Sequence, residues 1–477
     1  MTHNLIMRSD SYKTGQFGQY PGDTAKISSY VEARGGAKES VFFGLQAYLK
    51  EYMTNPITKE DVDEAESYIA PHNGNFNKQG WMDLINDHGG FLPLEIEAVP
   101  EGTVMPTSNV QMQVVNTDDK FEWLTSYMET DLLRAIWYPS TVASNSRIGK
   151  QFIGTALSIT SDIPVEDQIG FKLHDFGARG ASSSESAMLG GMSHLVNFLG
   201  TDTIEGLIGA RKYYGEEVAG FSIPASEHST MTSWGRDREV DAYRNMLELF
   251  SGEGKLLACV SDSYDIYNAT RNIWGGELKE MVKNSGGTLV VRPDSGDPHK
   301  VPLEVIEILM EQFGFTTNSK GYKVLPDYIR VIQGDGIDMA SLPRILSAME
   351  MRGLSVDNIA FGMGGGLLQQ VNRDNLKYAM KCSARQDTNG VWHDVFKDPI
   401  AGGKTSKAGR LGLFQSCGVG SCEIRTVPKD VADQKGNLLQ PVFRNGELLV
   451  DQSFSDIRAR AAVTWESKPR GPISRYE

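Results

Sequence analysis

Between Phe171 and Gly366, short apolar runs repeatedly end in polar, charged or glycine residues: FKLHDFGARG, LVNFLGTDT, AGFSIPASEH, LLACVSDSYD, GTLVVRPDSG, YIRVIQGDG and NIAFGMGGG. Most are separated by stretches long enough for a helix. The pattern therefore predicts repeated β-α units with a reactive group at the carboxyl end of each strand. A barrel enzyme assembles its site from such ends, so the expected class is α/β with a β/α barrel. One acidic tip alone is what turn chemistry would give. Asp202, His228, Asp262, Asp294 and Asp335 at equivalent positions favour a functional set.

The N-terminal third lacks this pattern. Helical periodicity runs through 40–53 and 60–71, the latter behind Thr58 as a cap. The alternation in 94–102 and 110–117 predicts an antiparallel strand pair. A helix pair is expected at 121–138 and 139–158, where Trp123, Tyr127, Leu132, Leu133 and Trp137 recur at helical spacing and read as core or subunit interface. From about 390 the chain returns to short strands and turns. The basic, glycine-containing stretch KDPIAGGKTSKAGRLGL reads as a surface loop or an anion-binding flap.

A length of 477 residues predicts two domains, or one large barrel with an extra layer. The expected division is 1–165, 166–385 and 386–477, the last packing back on the first. With 61 acidic against 47 basic side chains, a net of −14, a general nucleic-acid or anionic-membrane surface is excluded, while a local basic pocket for phosphates is not. No run has the length of a secretory core or a membrane span, so a cytoplasmic location is expected. Cys259, Cys382, Cys417 and Cys422 are too few and scattered for a disulfide framework, and CGVGSC reads as a turn-rich strand region rather than a metal or redox pair.

The candidate chemistry lies at the tips. FGMGGG (361–366) and QGDG (333–336) follow apolar runs, and glycine lets backbone N–H groups converge on a phosphate. Asp294 and Asp335 suit the hydroxyls of a ribose. Arg292, two residues before Asp294 on a strand, shares its face, which serves a ligand or an internal salt bridge equally well. His228, flanked by Glu227, is a general base, metal ligand or phosphoryl acceptor, with Asp262 able to orient its second nitrogen. His174 reads as structural. No paired-histidine spacing supports zinc.

Taken together, DSYK at 10, YPGDTAKISSYVEARGG at 20, KLHDFGARG at 172, NFLGTDT at 197, IPASEHST at 223, VSDSYDIYNA at 260, VRPDSGDP at 291, VIQGDG at 331, AFGMGGGLLQ at 360 and VFKDP at 395 closely resemble the nicotinamide phosphoribosyltransferase family over nearly the whole chain. The resemblance implies an irregular β/α barrel with a second α+β domain, built largely from the N-terminal third and the C-terminal segment. It also implies a homodimer with active sites at the subunit interface, and the partners nicotinamide, phosphoribosyl pyrophosphate and ATP, with Mg²⁺. By motif, Phe176 and the partner subunit's Tyr12 stack on the pyridine ring, Asp202 and Arg292 hold the carboxamide, and Ser222 joins the substrate contacts. Asp294, Gly334 and Asp335 match ribose contacts, Gly364 and Gly365 the 5′-phosphate. His228, backed by Glu227 and Asp262, matches the phosphorylated histidine. Arg179, Arg34, Arg373, Lys381 and Lys397 match the cluster around pyrophosphate and ATP phosphates, and Asp10 the cross-subunit edge.

Two departures stand out: Ala379, where animal members carry serine, and differences of detail in the loop at 400–410; the stretch between Gly36 and Ser40 is also short, as in a compact bacterial or phage-type member. Nicotinate as the base, an FMN-dependent barrel oxidoreductase and a non-catalytic dimeric protein are the rival expectations.

Overall fold

The computed structural model describes residues 4–400, 405–418 and 421–463, except the side chains of 417, 418, 421 and 422. The cysteine side chains of CGVGSC and residues 401–404 thus lie outside what is described. The chain forms two compact units, one from Met1–Ser144, Gly209–Glu216 and Asn372–Ala461, the other chiefly from Asn145–Ile208 and Glu217–Val371. These divisions, near 144 and 371, differ from the expected 165 and 385. The first is hidden because Glu129–Thr160 is one continuous helix. The second is early because Ala379–Asp387 is a strand paired with Thr24–Glu32.

In the first unit, a seven-stranded antiparallel sheet has the order Trp392–Asp394, Ala379–Asp387, Thr24–Glu32, Val110–Asn116, Leu94–Ala98, Gln440–Arg444, Glu447–Leu448. Its core includes Tyr30, Phe42, Trp81, Trp123 and Tyr127, with Trp81 and Trp123 edge to face at 4.8 Å. The helix Lys59–Asn73 starts where Thr58 and Asp61 form a reciprocal capping box. The helix expected over 40–53 begins only at Leu45, after a strand at Glu39–Val41.

The expected helix pair is also corrected: the break predicted at 138 does not occur, and Pro139 sits inside the long helix. Proline frees the carbonyl four residues back and normally kinks the helix. Here Gly44, at φ 104°, brings its backbone against that turn. A Cβ on it would lie 2.6 Å from Pro139 Cγ and 2.8 Å from the Ala135 carbonyl oxygen.

The second unit holds a six-stranded sheet, parallel throughout, in the order Gly200–Thr201, Leu173–Asp175, Ile359–Met363, Ile329–Gln333, Thr288–Arg292, Leu256–Val260. The AGFSIPASEH run is not a regular strand. Phe221 bridges Gly200 and Ala225 bridges Ala258, so this segment joins the two sheet edges and closes the barrel irregularly. Pro224 has no N–H for a ladder but still accepts from Ala258 N through its carbonyl. Inside, Ala258, Val290 and Ile332 pack with Phe176, Ile223 and Ala360. Because strand side chains alternate, Arg292 shares the inner face with Val290.

Candidate active site

The carboxyl ends of the barrel strands bring most of the expected residues together. At the end of Leu173–Asp175, the buried Asp175 carboxylate accepts from Gly177 N at 2.7 Å, fixing the turn that carries Phe176. Phe176 N donates to the Met363 carbonyl at 3.0 Å, and its ring lies against the neighbouring strand ends. A Cβ at Gly362 would stand 2.0 Å from that ring and one at Gly334 3.3 Å. Only glycine at 362 leaves the ring its place. Gly362 belongs to the FGMGGG run read as a phosphate loop, but its packing against the Phe176 ring is not marked by any local signal.

Asp202 receives a hydrogen bond from the Ser222 hydroxyl, and His174 Nε2 lies 3.2 Å from its Oδ1. Burial pushes the Asp202 carboxyl up. Hydrogen bonds from His174 and Ser222, with the charge of Arg292, outweigh that, so it lies below the ordinary carboxylate value and is an anion at neutral pH. His174, expected to be structural, therefore also positions Asp202, and its ring sits 4.9 Å from that of Phe176.

His228 opens a short helix, His228–Thr232, and its Nε2 lies 2.9 Å from Asp262 Oδ1. The imidazole is 45% exposed and its carboxylate partner 3%. The other Asp262 oxygen accepts from Asp294 N and the Ser295 hydroxyl, so this aspartate ties two strand tips together. His228 Nδ1 stands 3.9 Å from Asp294 Oδ2, which also accepts from Arg292 Nη2 at 3.1 Å. Arg292 Nε is buried with no partner among the described residues. Glu227, expected to back His228, instead accepts from the Ser229 hydroxyl.

Asp335 and Arg179 are exposed at the rim. Gly364 precedes the helical turn Gly365–Leu368, whose first amides have no acceptor within the turn. Gly180 packs closely on Gly365, where a Cβ would come within 3.3 Å of the Gly365 Cα.

The remaining candidates belong to the other unit. Asp10, Tyr12 and Arg373 line one cavity of about 260 Å³ with Glu129, Arg134 and Trp137. The Tyr12 ring is 65% exposed, and Asp10 accepts from the Thr130 hydroxyl. Arg34 pairs with the buried Glu32 and donates to the Thr405 carbonyl, while Lys407, a further cation of the basic stretch, pairs with the same Glu32. Lys397 N donates to the Ser406 hydroxyl, leaving its ammonium without a protein partner among the described residues. Lys381 Nζ donates to the Met380 carbonyl. Neighbouring Ala379 is in register with Glu32. Among the described residues no group of three or more His, Cys, Asp or Glu could hold a metal by itself, and no helix is long and apolar enough to cross a membrane.

Residues 171–447 match the Nicotinate phosphoribosyltransferase (NAPRTase) family, and residues 4–96 match the Nicotinamide phosphoribosyltransferase, N-terminal domain. The chain is 51% identical to a nicotinamide phosphoribosyltransferase of Xanthomonas campestris pv. campestris, covering 96% of this chain and 98% of that protein. It is 31% identical to one of Mycoplasma pneumoniae, covering 83% and 92%. Among solved structures, nicotinate-nucleotide pyrophosphorylase from Pyrococcus furiosus superposes with a TM-score of 0.59 at 16% identity, covering 96% of this chain and 94% of that one. Human nicotinic acid phosphoribosyltransferase superposes with a TM-score of 0.55 at 16% identity, covering 95% and 92%. At those identities the likeness shows the fold.

Proposed function

Because the chain belongs to the nicotinate phosphoribosyltransferase family, we infer that it condenses nicotinamide with 5-phosphoribosyl 1-pyrophosphate to nicotinamide mononucleotide and pyrophosphate. The reaction breaks the ribose C1–O bond to pyrophosphate and forms a C1–N bond to the pyridine nitrogen. The passing oxocarbenium-like state needs positioning and charge management more than strong acid or base work. Phe176 offers a face for the pyridine ring. Arg292, with its buried Nε unpartnered, is a donor for the carboxamide oxygen, and Asp202 an acceptor for the carboxamide N–H. Asp294, Gly334 and Asp335 would hold the ribose, and the Gly364–Gly365 backbone its 5′-phosphate.

The observation that carries the choice of base is the carboxylate of Asp202, kept ionised by His174 and Ser222. A nicotinate carboxylate beside it would meet repulsion of about 4 kcal/mol at close range, roughly a thousandfold in binding. Nicotinamide is therefore the substrate of this site and nicotinate the poor one.

ATP enters as a phosphoryl donor. Asp262 holds His228 Nε2 and leaves Nδ1 as the nitrogen open to the γ-phosphoryl group, with ADP leaving. The added charge would help organise pyrophosphate. Mg²⁺ fits the same rim, because it takes one or two carboxylates plus substrate phosphate oxygens rather than an all-protein cage. Asp335 is exposed there, with no protein partner for its carboxylate among the described residues. The metal would neutralise charge on the departing pyrophosphate. The exposed Tyr12, with Asp10 and Arg373, would complete the barrel of a second copy in a homodimer, and a cytoplasmic location would suit the phosphorylated substrates.

Incubation with phosphoribosyl pyrophosphate, Mg²⁺ and nicotinamide or nicotinate, with and without ATP, followed by mass detection, tests the reading. Nicotinamide mononucleotide should form and ATP should raise its yield. Absence of product from nicotinamide would overturn the assignment.

A further inference from the structure

The outer face of the antiparallel sheet carries a second group of cations that this reaction does not use. Lys26 follows the buried Ala25 and precedes the buried Ile27, so alternation turns it away from the core. Lys26 is paired across the ladder with Gln386, and Gln386 with Trp392. Glu95, two strands further along, is paired with Arg444 on the strand beyond it. These positions line a cavity of about 440 Å³, which Arg410 and Asn445 also line.

Three cations thus face one carboxylate, in a chain whose net charge is −14. The carboxylate is already engaged, since Glu95 accepts from Arg444 Nε at 2.6 Å and from its Nη2. Lys26 has no ion pair or hydrogen bond to its ammonium among the described residues. Arg410 lies over the Trp392 ring at 4.6 Å, and its Nε is buried without a partner among the described residues. A guanidinium held by a ring face and left without an acceptor is set to receive a planar or tetrahedral oxyanion. Burial pulls it below its ordinary value, against the charges of Glu97, Glu95 and Asp433, so an anion in the cavity would relieve an existing cost.

We propose that this cavity is a second anion site, taking a small phosphorylated molecule with at least two phosphoryl charges, held by Lys26, Arg410 and the side-chain NH2 of Asn445, whose Oδ1 accepts from the Thr117 hydroxyl at 2.7 Å. The volume admits more than one phosphate group and lies within the range of ordinary small-molecule sites. The cavity sits on the sheet of the first unit, and none of its residues belongs to the barrel tips.

The test is equilibrium binding of inorganic pyrophosphate to the whole protein, comparing the natural chain with a Lys26→Gln/Arg410→Gln double variant. Nicotinamide mononucleotide formation is measured alongside, without added pyrophosphate. The natural chain should bind one more equivalent per chain than the variant, and turnover should stay within about twofold. Equal stoichiometry and affinity in the two proteins would overturn the proposal and leave Arg410 as a buttress for Trp392. Should the double variant fail to fold, Lys26→Gln alone on the outer face gives the reading: about tenfold weaker binding of the extra equivalent supports the site, and no change refutes it.

Discussion

The barrel tips and the exposed polar groups of the antiparallel unit solve opposite problems. At the tips almost every charged group is held: His228 by Asp262, Asp202 by His174 and Ser222, Asp294 by Arg292. In the other unit Tyr12 stands 65% exposed and the ammonium of Lys397 has no protein partner among the described residues. Chemistry at C1 needs groups fixed in advance, because reorganisation during the reaction costs rate. Exposed groups of the kind proposed to grip phosphates or to stack from a second copy would gain their partners only on binding, and leaving them exposed costs the free chain little.

The contrast predicts that substitutions at the tips change which reaction occurs and how fast, and that they do so unequally. The largest effect belongs to Asp202→Asn, which keeps the shape and removes the charge. The preference for nicotinamide over nicotinate should fall by roughly a thousandfold in kcat/KM ratios measured with both bases. Next is Asp262→Asn. It weakens the link that ties His228 to the Asp294 tip, so ATP stimulation should vanish and kcat with ATP should drop about a hundredfold, with KM for nicotinamide little changed.

Third is Gly362→Ala, whose methyl group would occupy the space of the Phe176 ring. Overpacking of this kind costs about 1–3 kcal/mol, and here it should appear as a KM for nicotinamide raised about tenfold or more, measured by steady-state assay. Tyr12→Ala sharpens the comparison. At an exposed position it should leave the unfolding midpoint unchanged, yet raise KM if its ring completes the stack.

These positions also separate what the chain discloses locally from what it does not. Strand tips were legible because an apolar run ending in Asp or Gly is a local pattern, and Asp202, His228, Asp262, Asp294 and Asp335 all fall at or near such ends. Gly362 was not, since its purpose is the volume of a ring carried by a distant part of the chain. The helix pair expected at 121–138 and 139–158 is instead continuous from Glu129 to Thr160 through Pro139, because Gly44, remote in sequence, supplies the space that lets the helix continue. The closing segment around Pro224 reads as a strand by composition, yet it joins both edges through isolated bridges only. Glu227 sits beside His228 in sequence, but the helix start turns it to Ser229.

The smallest effect concerns the barrel's support. His194 is buried, with Ser146 at its Nδ1 and the Leu173 carbonyl at its Nε2, and burial pulls its pKa down to about 3. The unfolded chain protonates this histidine near its ordinary value of 6.5, while the folded chain keeps it neutral down to about 3. Between those values the unfolded state holds the extra proton, so stability falls as pH falls through that window. Urea midpoints at pH 7, 5.5 and 4.5 should decline, and a His194→Asn variant that folds should decline less steeply.

On the proposed reading, a fixed carboxylate at a barrel tip selects a neutral amide for transfer to an activated pentose. Competition between equal concentrations of nicotinamide and nicotinate, with phosphoribosyl pyrophosphate, Mg²⁺ and ATP and mass-resolved products, tests it most directly. The expected result is nicotinamide mononucleotide in large excess. Nicotinate mononucleotide as the main product would contradict it.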